Sequence, residues 1–347
     1  MRWFYVPNEN TEGDQIGPRM AFEKLLQEGV FSAYKAYSYL VRGKAANCHQ
    51  DALDEFIESA REFAPDVIFI QHPGNGYPMD RVFLQKLKAI PSKPKLVLHE
   101  GDPYDRWFKR IDKTLRNTFQ EADLVILVGL GKLAEMAREA GARNIRFIPH
   151  SYDSTRFSSE WQPTHSRVHD AVMIANCGYV KNIPGLYLPG GRKRRQTAEA
   201  LYSTLGDRFA VFGGGGAWQG RPYAHGNLPF DRQGEVIRNS WVSVNWHHFD
   251  DLSFYSSDRL AISLASGVPH ITNYQEGYQH IFEGIPGLFI VKTPREAADA
   301  AIFLLSMPIS RRNELGQASA EYARTHFEAT KVYSDTVDVI KEHWQTR

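Results

Sequence analysis

The sequence predicts an α/β protein made of two doubly wound parallel-sheet domains. Three observations carry this. Short apolar runs alternate with amphipathic helical patterns along most of the 347 residues, the rhythm of βα units joined by right-handed crossovers. Several runs, "DVIFIQ" (66–71) foremost, are apolar throughout, as parallel strands covered on both faces must be. The alternation also stops at "SYDSTRFSSEWQPTHSRVHD" (151–170), which is polar and aperiodic, and then starts again.

In order, "RWFYVP" (2–7) reads as a strand and "GPRMAFEKLLQEG" (17–29) as a helix closed by Gly29. "DALDEFIESAREFAP" (51–65) has helical spacing and stops at Pro65. After 66–71 come "DRVFLQKLKAI" (helix), "KLVLHE" (strand), "WFKRIDKTLRNTF" (helix), "ADLVILVG" (strand), "GKLAEMAREAG" (helix) and "IRFIPH" (strand). Beyond the break, "AVMIANCG", "FAVFGGGG", "WVSVNWH" and "VPHIT" read as strands, alternating with helices at 194–206, 232–240 and 256–267. Three further helices follow, the last being "TKVYSDTVDVIKEHWQ" (330–345). The expected division is a first domain over 1–156, a linker over 157–170, a second domain over 171–327 and a terminal helix over 328–347. Ligands of such sheets bind outside the carboxyl ends of the strands, so a cleft between the domains is the expected site.

Composition narrows the class. The hydrophobic fraction is 42%, the charged fraction 23% and the net charge +1. That is ordinary for a globular protein and offers no overall basic field for nucleic acid. Two cysteines, Cys48 and Cys177, make no disulfide framework and fit a reducing compartment. The N-terminus lacks a signal-peptide core, and no apolar run approaches the roughly 20 residues of a membrane span. The expectation is a cytoplasmic protein, compatible with peripheral attachment to a membrane.

Four stretches can carry chemistry. Gly213 to Gly216 follow a strand and permit close backbone approach to a ligand, or form a plain flexible loop. Trp218 beside them stacks on a base or packs under the loop. Arg192 to Arg195 stand where a helix begins; cations there oppose the helix dipole unless an anion sits between them, and the alternative is a solvated basic turn. In "SSDRLAISLASGVPHIT" (256–272), Ser256, Ser257, Asp258 and Arg259 form the polar mouth of an otherwise apolar helix. That mouth holds an anion or is an ordinary cap. Asn245, His247 and His248 end the preceding strand, but neighbours on an extended chain point to opposite faces, so the His pair does not read as a metal site. In the first half, "KLVLHEGDPYD" (95–105) ends a strand in His99, Glu100 and Asp102, groups suited to a general base or to holding a hydroxyl. Asp105 reads as a turn residue and His72 as a weaker candidate. Gly17 and Arg19, at the first strand–helix junction, are further candidates for a phosphate or acceptor contact.

Taken in order, these pieces resemble the GT-B glycosyltransferases, close to glycosyltransferase family 4 and its spore-maturation-type, CgeB-like branch. "ADLVILVGLGKLAEMAREAGARNIRFIPHSYD" looks like the end of that family's first domain, and "FAVFGGGGAW" like its glycine-and-Trp loop. "DRLAISLASGVPHIT" followed by "EGYQHIFEGIPGLFIV" is similar to its nucleotide-binding segment. The resemblance implies a GT-B fold whose C-terminal helix crosses back onto the N-terminal domain. It implies a nucleotide-diphospho-sugar donor, with UDP favoured over GDP, on the second domain and an acceptor hydroxyl on the first. Arg259 and Arg194 or Arg195 would lie at the diphosphate, His99 at the transferred sugar, and no metal or other cofactor is implied. The family's E-x7-E carboxylates are absent: Ile262 and Phe254 stand in their places. The stereochemical outcome therefore does not carry over. A hexosyl- or pentosyltransferase is the first expectation; a non-catalytic relative and a nucleotide-sugar epimerase are the alternatives. The acceptor stays open among glycan, lipid-linked, protein, small-molecule and modified-DNA hydroxyls.

Overall fold

The computed structural model describes residues 1–46, 48–74, 79–157 and 161–345. The chain divides into two compact units, Met1–Pro149 with Ala329–Arg347, and His150–Glu328.

Unit 1 runs β1 (Arg2–Val6), α1 (Ile16–Gln27), β2 (Ala33–Ala36), α2 (Tyr39–Ala45), α3 (His49–Phe63), β3 (Val67–Gln71), α4 (Arg81–Lys88), β4 (Lys95–Glu100), α5 (Lys113–Glu121), β5 (Leu124–Leu127), α6 (Lys132–Glu139) and β6 (Ile145–Phe147). Among the described residues its sheet is six-stranded, in the order β2-β1-β3-β4-β5-β6, with every pair parallel. The period of two sends alternate residues of each strand to opposite faces. Trp3, Tyr5, Phe69 and Val97 build one core layer with α1, while Phe4, Val6, Ile68 and Ile70 build the other with α3 and α4.

Unit 2 runs α7 (Ser154–Phe157), β7 (His169–Ile174), α8 (Gly191–Leu205), β8 (Phe209–Phe212), α9 (Gln233–Arg238), β9 (Ser240–Asn245), α10 (Asp258–Ala265), β10 (His270–Asn273), α11 (Tyr278–Ile281), β11 (Leu288–Val291), α12 (Pro294–Ser306) and α13 (Ile309–His326). Its described strands form a parallel sheet in the order β11-β10-β9-β7-β8. The last helix, α14 (Ala329–Gln345), returns to unit 1, where Val332, Tyr333, Val337 and Ile340 complete the layer around Trp3 and Phe22.

Three differences from the sequence expectation have physical reasons. Residues 150–156, expected with the first domain, and residues 161–170, expected as linker, belong to unit 2, because Tyr152 and Phe157 are buried in its core beside α10. Residues 158–160 of that stretch lie outside the described residues. Strands β2 and β11 have no counterpart in the expectation: both are sheet edges with mostly half-buried residues, so neither shows a long apolar run. The helix expected over 107–119 starts at Lys113. Asp112 accepts from the Leu115 N–H at 2.8 Å and caps it there, and Asp105 draws the preceding residues into a turn.

In unit 2 the loops after the strands press together so closely that two glycines are required. Gly190 (φ 68°) abuts the His247 carbonyl, and Gly213 (φ 151°) abuts the Ala175 carbonyl; a Cβ at either would overlap that oxygen. Gly190→Ala is expected to lower stability by about 1–3 kcal/mol through overlap and strain. A urea midpoint equal to that of the parent chain would contradict this close approach.

Candidate functional site

In each sheet the chain leaves one strand in one direction and later returns on its other side. The reversal lies between β1 and β3 in unit 1 and between β7 and β9 in unit 2, and ligands of open α/β sheets bind outside the carboxyl ends at such points.

In unit 2 that point is occupied by Arg194, on the first turns of α8 and only 5% exposed. Its Nε donates to the Trp246 carbonyl at 2.7 Å and its Nη1 to the Asn176 carbonyl at 2.8 Å, joining the loops that follow β9 and β7. His248 donates from Nδ1 to the Pro189 carbonyl at 3.0 Å, leaving Nε2 to accept from Arg194 Nη1 at 3.1 Å. These partners engage Nε and Nη1 of Arg194 but bring no negative charge. Burial, followed by the nearby Arg259, pushes the guanidinium pKa down to about 10.

Arg259 lies in the first turn of α10. It reaches Asp258 Oδ1 at a loose 3.4 Å, while its Nε is buried and has no hydrogen-bond partner. The N-cap residue Ser257 makes no capping bond; its hydroxyl accepts instead from Asn245 Nδ2 at 3.1 Å. Ser256 beside it is buried. Arg259 thus stands at a helix N-terminus that has no side-chain cap, with the charge of Arg194 nearby, an arrangement complementary to an anion. His247 adds no charge. Burial, then Arg194 and His270, hold its pKa well below the usual imidazole range, and its Nε2 lies 2.9 Å from the Tyr278 hydroxyl and 3.1 Å from Thr272 Oγ1.

The other residues expected at the donor have packing partners. Gly213 and Gly215 let the loop after β8 approach the Ala175 and Cys177 carbonyls, and the Gly214 N–H donates to Asn176 Oδ1 at 2.8 Å. Trp218 is 3% exposed and donates from Nε1 to the Ala175 carbonyl at 2.7 Å, so it packs under the loop and offers no face for stacking. Arg195 turns away from Arg194 to the Ala217 carbonyl (2.5 Å) and Glu199 (2.7 Å). Arg192 is exposed. Ile262 is core, packed with Leu260 and Leu264, and Phe254 holds a positive φ of 63°.

In unit 1 the carboxyl ends of β3 and β4 bring together a group that sequence reading ranked differently. Glu100 is fully buried, and its Oε1 lies 2.5 Å from His72 Nδ1 and accepts from the Asp102 N–H at 2.8 Å. His72 Nε2 lies 3.6 Å from Asp102 Oδ2, and Asp102 is ion-paired with Lys109. His72 also holds φ 45°, a strained value for a non-glycine residue. Burial disfavours the His72 cation, but the hydrogen bond and charge of Glu100 outweigh it and raise the imidazole pKa. Burial likewise raises the Glu100 pKa. Both shifts favour keeping the proton that the pair shares. His99 points to the opposite face of β4, among Phe69 and Tyr333 at ring distances of 5.8 and 6.1 Å. Its carbonyl accepts from the His72 N–H at 2.8 Å. Gly17 is buried in the first turn of α1. Arg19, two residues on, is already paired with the buried Glu9, which also accepts from Ser38.

Residues 192–338 match a protein family described as glycosyl transferase-like. No curated protein sequence matches the chain. Solved structures are similar along nearly the whole length. HepE from Anabaena, in complex with UDP, is 13% identical with a TM-score of 0.58 and covers 99% of this chain and 100% of its own. Sucrose-phosphate synthase from Thermosynechococcus elongatus is 11% identical at 0.58, covering 100% of both. A glycosyltransferase from Rickettsia africae ESF-5 is 11% identical at 0.60, covering 98% of this chain and 97% of its own. The chain has the GT-B fold. Among the described residues of this GT-B chain no group of three or more His, Cys, Asp or Glu is placed to hold a metal ion, and no helix is long and apolar enough to cross a membrane.

Proposed function

We propose that this protein transfers a sugar from a nucleotide-diphospho-sugar, with UDP favoured, to an acceptor hydroxyl. The observation that carries the reading is Arg259 in the first turn of α10, its Nε buried and unpartnered, with Arg194 on α8 near enough for the two charges to oppose each other. Such a donor set suits a diphosphate. As the bond between the anomeric carbon and the diphosphate oxygen breaks, negative charge grows on the leaving group, and two fixed guanidiniums with a helix N-terminus stabilise it. This reading invokes no metal. In unit 1, Glu100 holds His72 Nδ1, which leaves Nε2 as the proton acceptor for the hydroxyl. Ile262 and Phe254 provide no carboxylate for the ribose, so those hydroxyls fall to other groups, with Ser256 and Ser257 on the same segment as candidates.

The same absence favours a second reading, a non-catalytic relative that keeps the binding shell. Isothermal titration with UDP, UDP-glucose and GDP, followed by an assay for UDP release, separates the two. Tighter binding of the uridine compounds with turnover is the expected result. Binding without turnover supports the second reading, and failure to bind any nucleotide overturns both. Mass spectrometry of the products would distinguish a transferred sugar from an epimerised donor.

A further inference from the structure

Between β4 and α5 the chain makes a turn that puts two aromatic side chains into solvent. Trp107 is 76% exposed, the highest value among the described large hydrophobic side chains, and Phe108 is 54% exposed. The exposure is built in. Asp105, itself buried, accepts from the backbone N–H groups of Phe108 (2.7 Å) and Lys109 (2.6 Å), and its own N–H donates to the Lys109 carbonyl at 2.9 Å. Lys109 is tied to Asp102 and lies over the Tyr104 ring at 4.9 Å. With the base of the turn fixed from both sides, Arg106, Trp107 and Phe108 can occupy only its tip.

The surroundings of the tip are basic. Residues 105–116 hold Arg106, Lys109, Arg110, Lys113 and Arg116 against Asp105 and Asp112, in a chain whose whole net charge is +1. Both carboxylates are engaged with backbone N–H groups, Asp105 in the turn and Asp112 in the cap of α5. Of the cations, Arg106 is paired with Glu139 at 2.6 Å on the surface, and Arg110, Lys113 and Arg116 are exposed.

We propose that this turn is a membrane-docking wedge, with Trp107 and Phe108 entering the headgroup region and the surrounding cations meeting anionic lipid. Aromatic rings prefer that interface, and an apolar insertion combined with a polybasic patch gives reversible binding where neither suffices alone. A protein partner fits less well. Two aromatic side chains bury at most about 500 Å², short of the roughly 800 Å² that each side of a specific protein interface contributes.

Co-sedimentation of the full chain tests this, with vesicles of phosphatidylglycerol and phosphatidylcholine set against phosphatidylcholine alone. The expected result is binding to the anionic vesicles that weakens with added salt. It should fall about tenfold or more in a Trp107→Ala, Phe108→Ala double variant and in an Arg110→Glu, Lys113→Glu variant. All four side chains are exposed, so circular dichroism should show unchanged folding. Absence of vesicle binding by the parent chain overturns the proposal, as does equal binding by the aromatic double variant. So does an aromatic variant that binds vesicles normally and loses only turnover of a soluble acceptor, which would make the turn an acceptor platform.

Discussion

Arg259→Ala is expected to weaken binding of UDP and UDP-glucose by roughly 10- to 150-fold while leaving the free protein as stable as before. The affinity loss is the worth of charge-assisted hydrogen bonds to a diphosphate, about 1.5–3 kcal/mol. The stability expectation comes from the free site. Arg259 has one loose contact to Asp258, a buried Nε without a partner, and a like-charged neighbour whose pKa its presence depresses. Removing such a group gives up one loose contact and relieves a like charge beside Arg194. A purely structural arginine would behave in the opposite way, lowering the melting temperature and sparing affinity. Thermal melts with and without UDP therefore decide the matter: the UDP-induced rise in Tm should largely vanish in the variant while its ligand-free Tm holds. Arg259→Lys should recover only part of the affinity, since an ammonium cannot present the planar fork. If affinity is unchanged in Arg259→Ala, the anion site is not here.

The two neighbouring arginines show where sequence reading reaches its limit. Both Arg194 and Arg195 fall in the basic start of a helix, and adjacent helical residues differ by about 100° around the axis. Which of them turns to the strand ends depends on the loops it can tie. Arg194 finds the carbonyls of Asn176 and Trp246, and Arg195 finds Ala217. The glycine run shows the same limit. It was legible as a place of close backbone approach, but not that the loop after β7 is a group that approaches it. The sheets were legible because buried parallel strands are apolar on both faces. Edge strands β2 and β11 were not, because an edge residue needs no such run.

His72 was undervalued for a related reason. His99 lies in a stronger motif, next to Glu100, yet successive strand residues face opposite sides, so the carboxylate beside His99 in sequence belongs in space to a residue 28 positions earlier. His72→Gln and Glu100→Gln are each expected to lower kcat for sugar transfer, His72→Gln by about 10²–10⁴-fold, with little change in UDP affinity because both residues lie in unit 1. The pH dependence carries the sharper test. Glu100 raises the His72 pKa above its ordinary value, so the free base appears only as pH rises through that raised pKa, and the rate should climb with it. Glu100→Gln removes the raising charge and should move the ascending limb to lower pH while reducing the maximum, because Nδ1 loses its charged partner. For stability the sign is reversed. A raised folded-state pKa means that the imidazolium's contribution is complete below the unfolded pKa, near 6.5, and is lost as pH climbs through the folded value. Imidazole NMR titration gives a readout that needs no acceptor: His72 should titrate above 6.5 in the parent chain and move down in Glu100→Gln. A His72 that titrates at the same pH in both chains would dismiss the pair. A His72 that shifts as expected but whose replacement leaves kcat intact would keep the pair and remove it from the reaction, returning the proton-acceptor role to Asp102, whose carboxylate lies 3.6 Å from His72 Nε2.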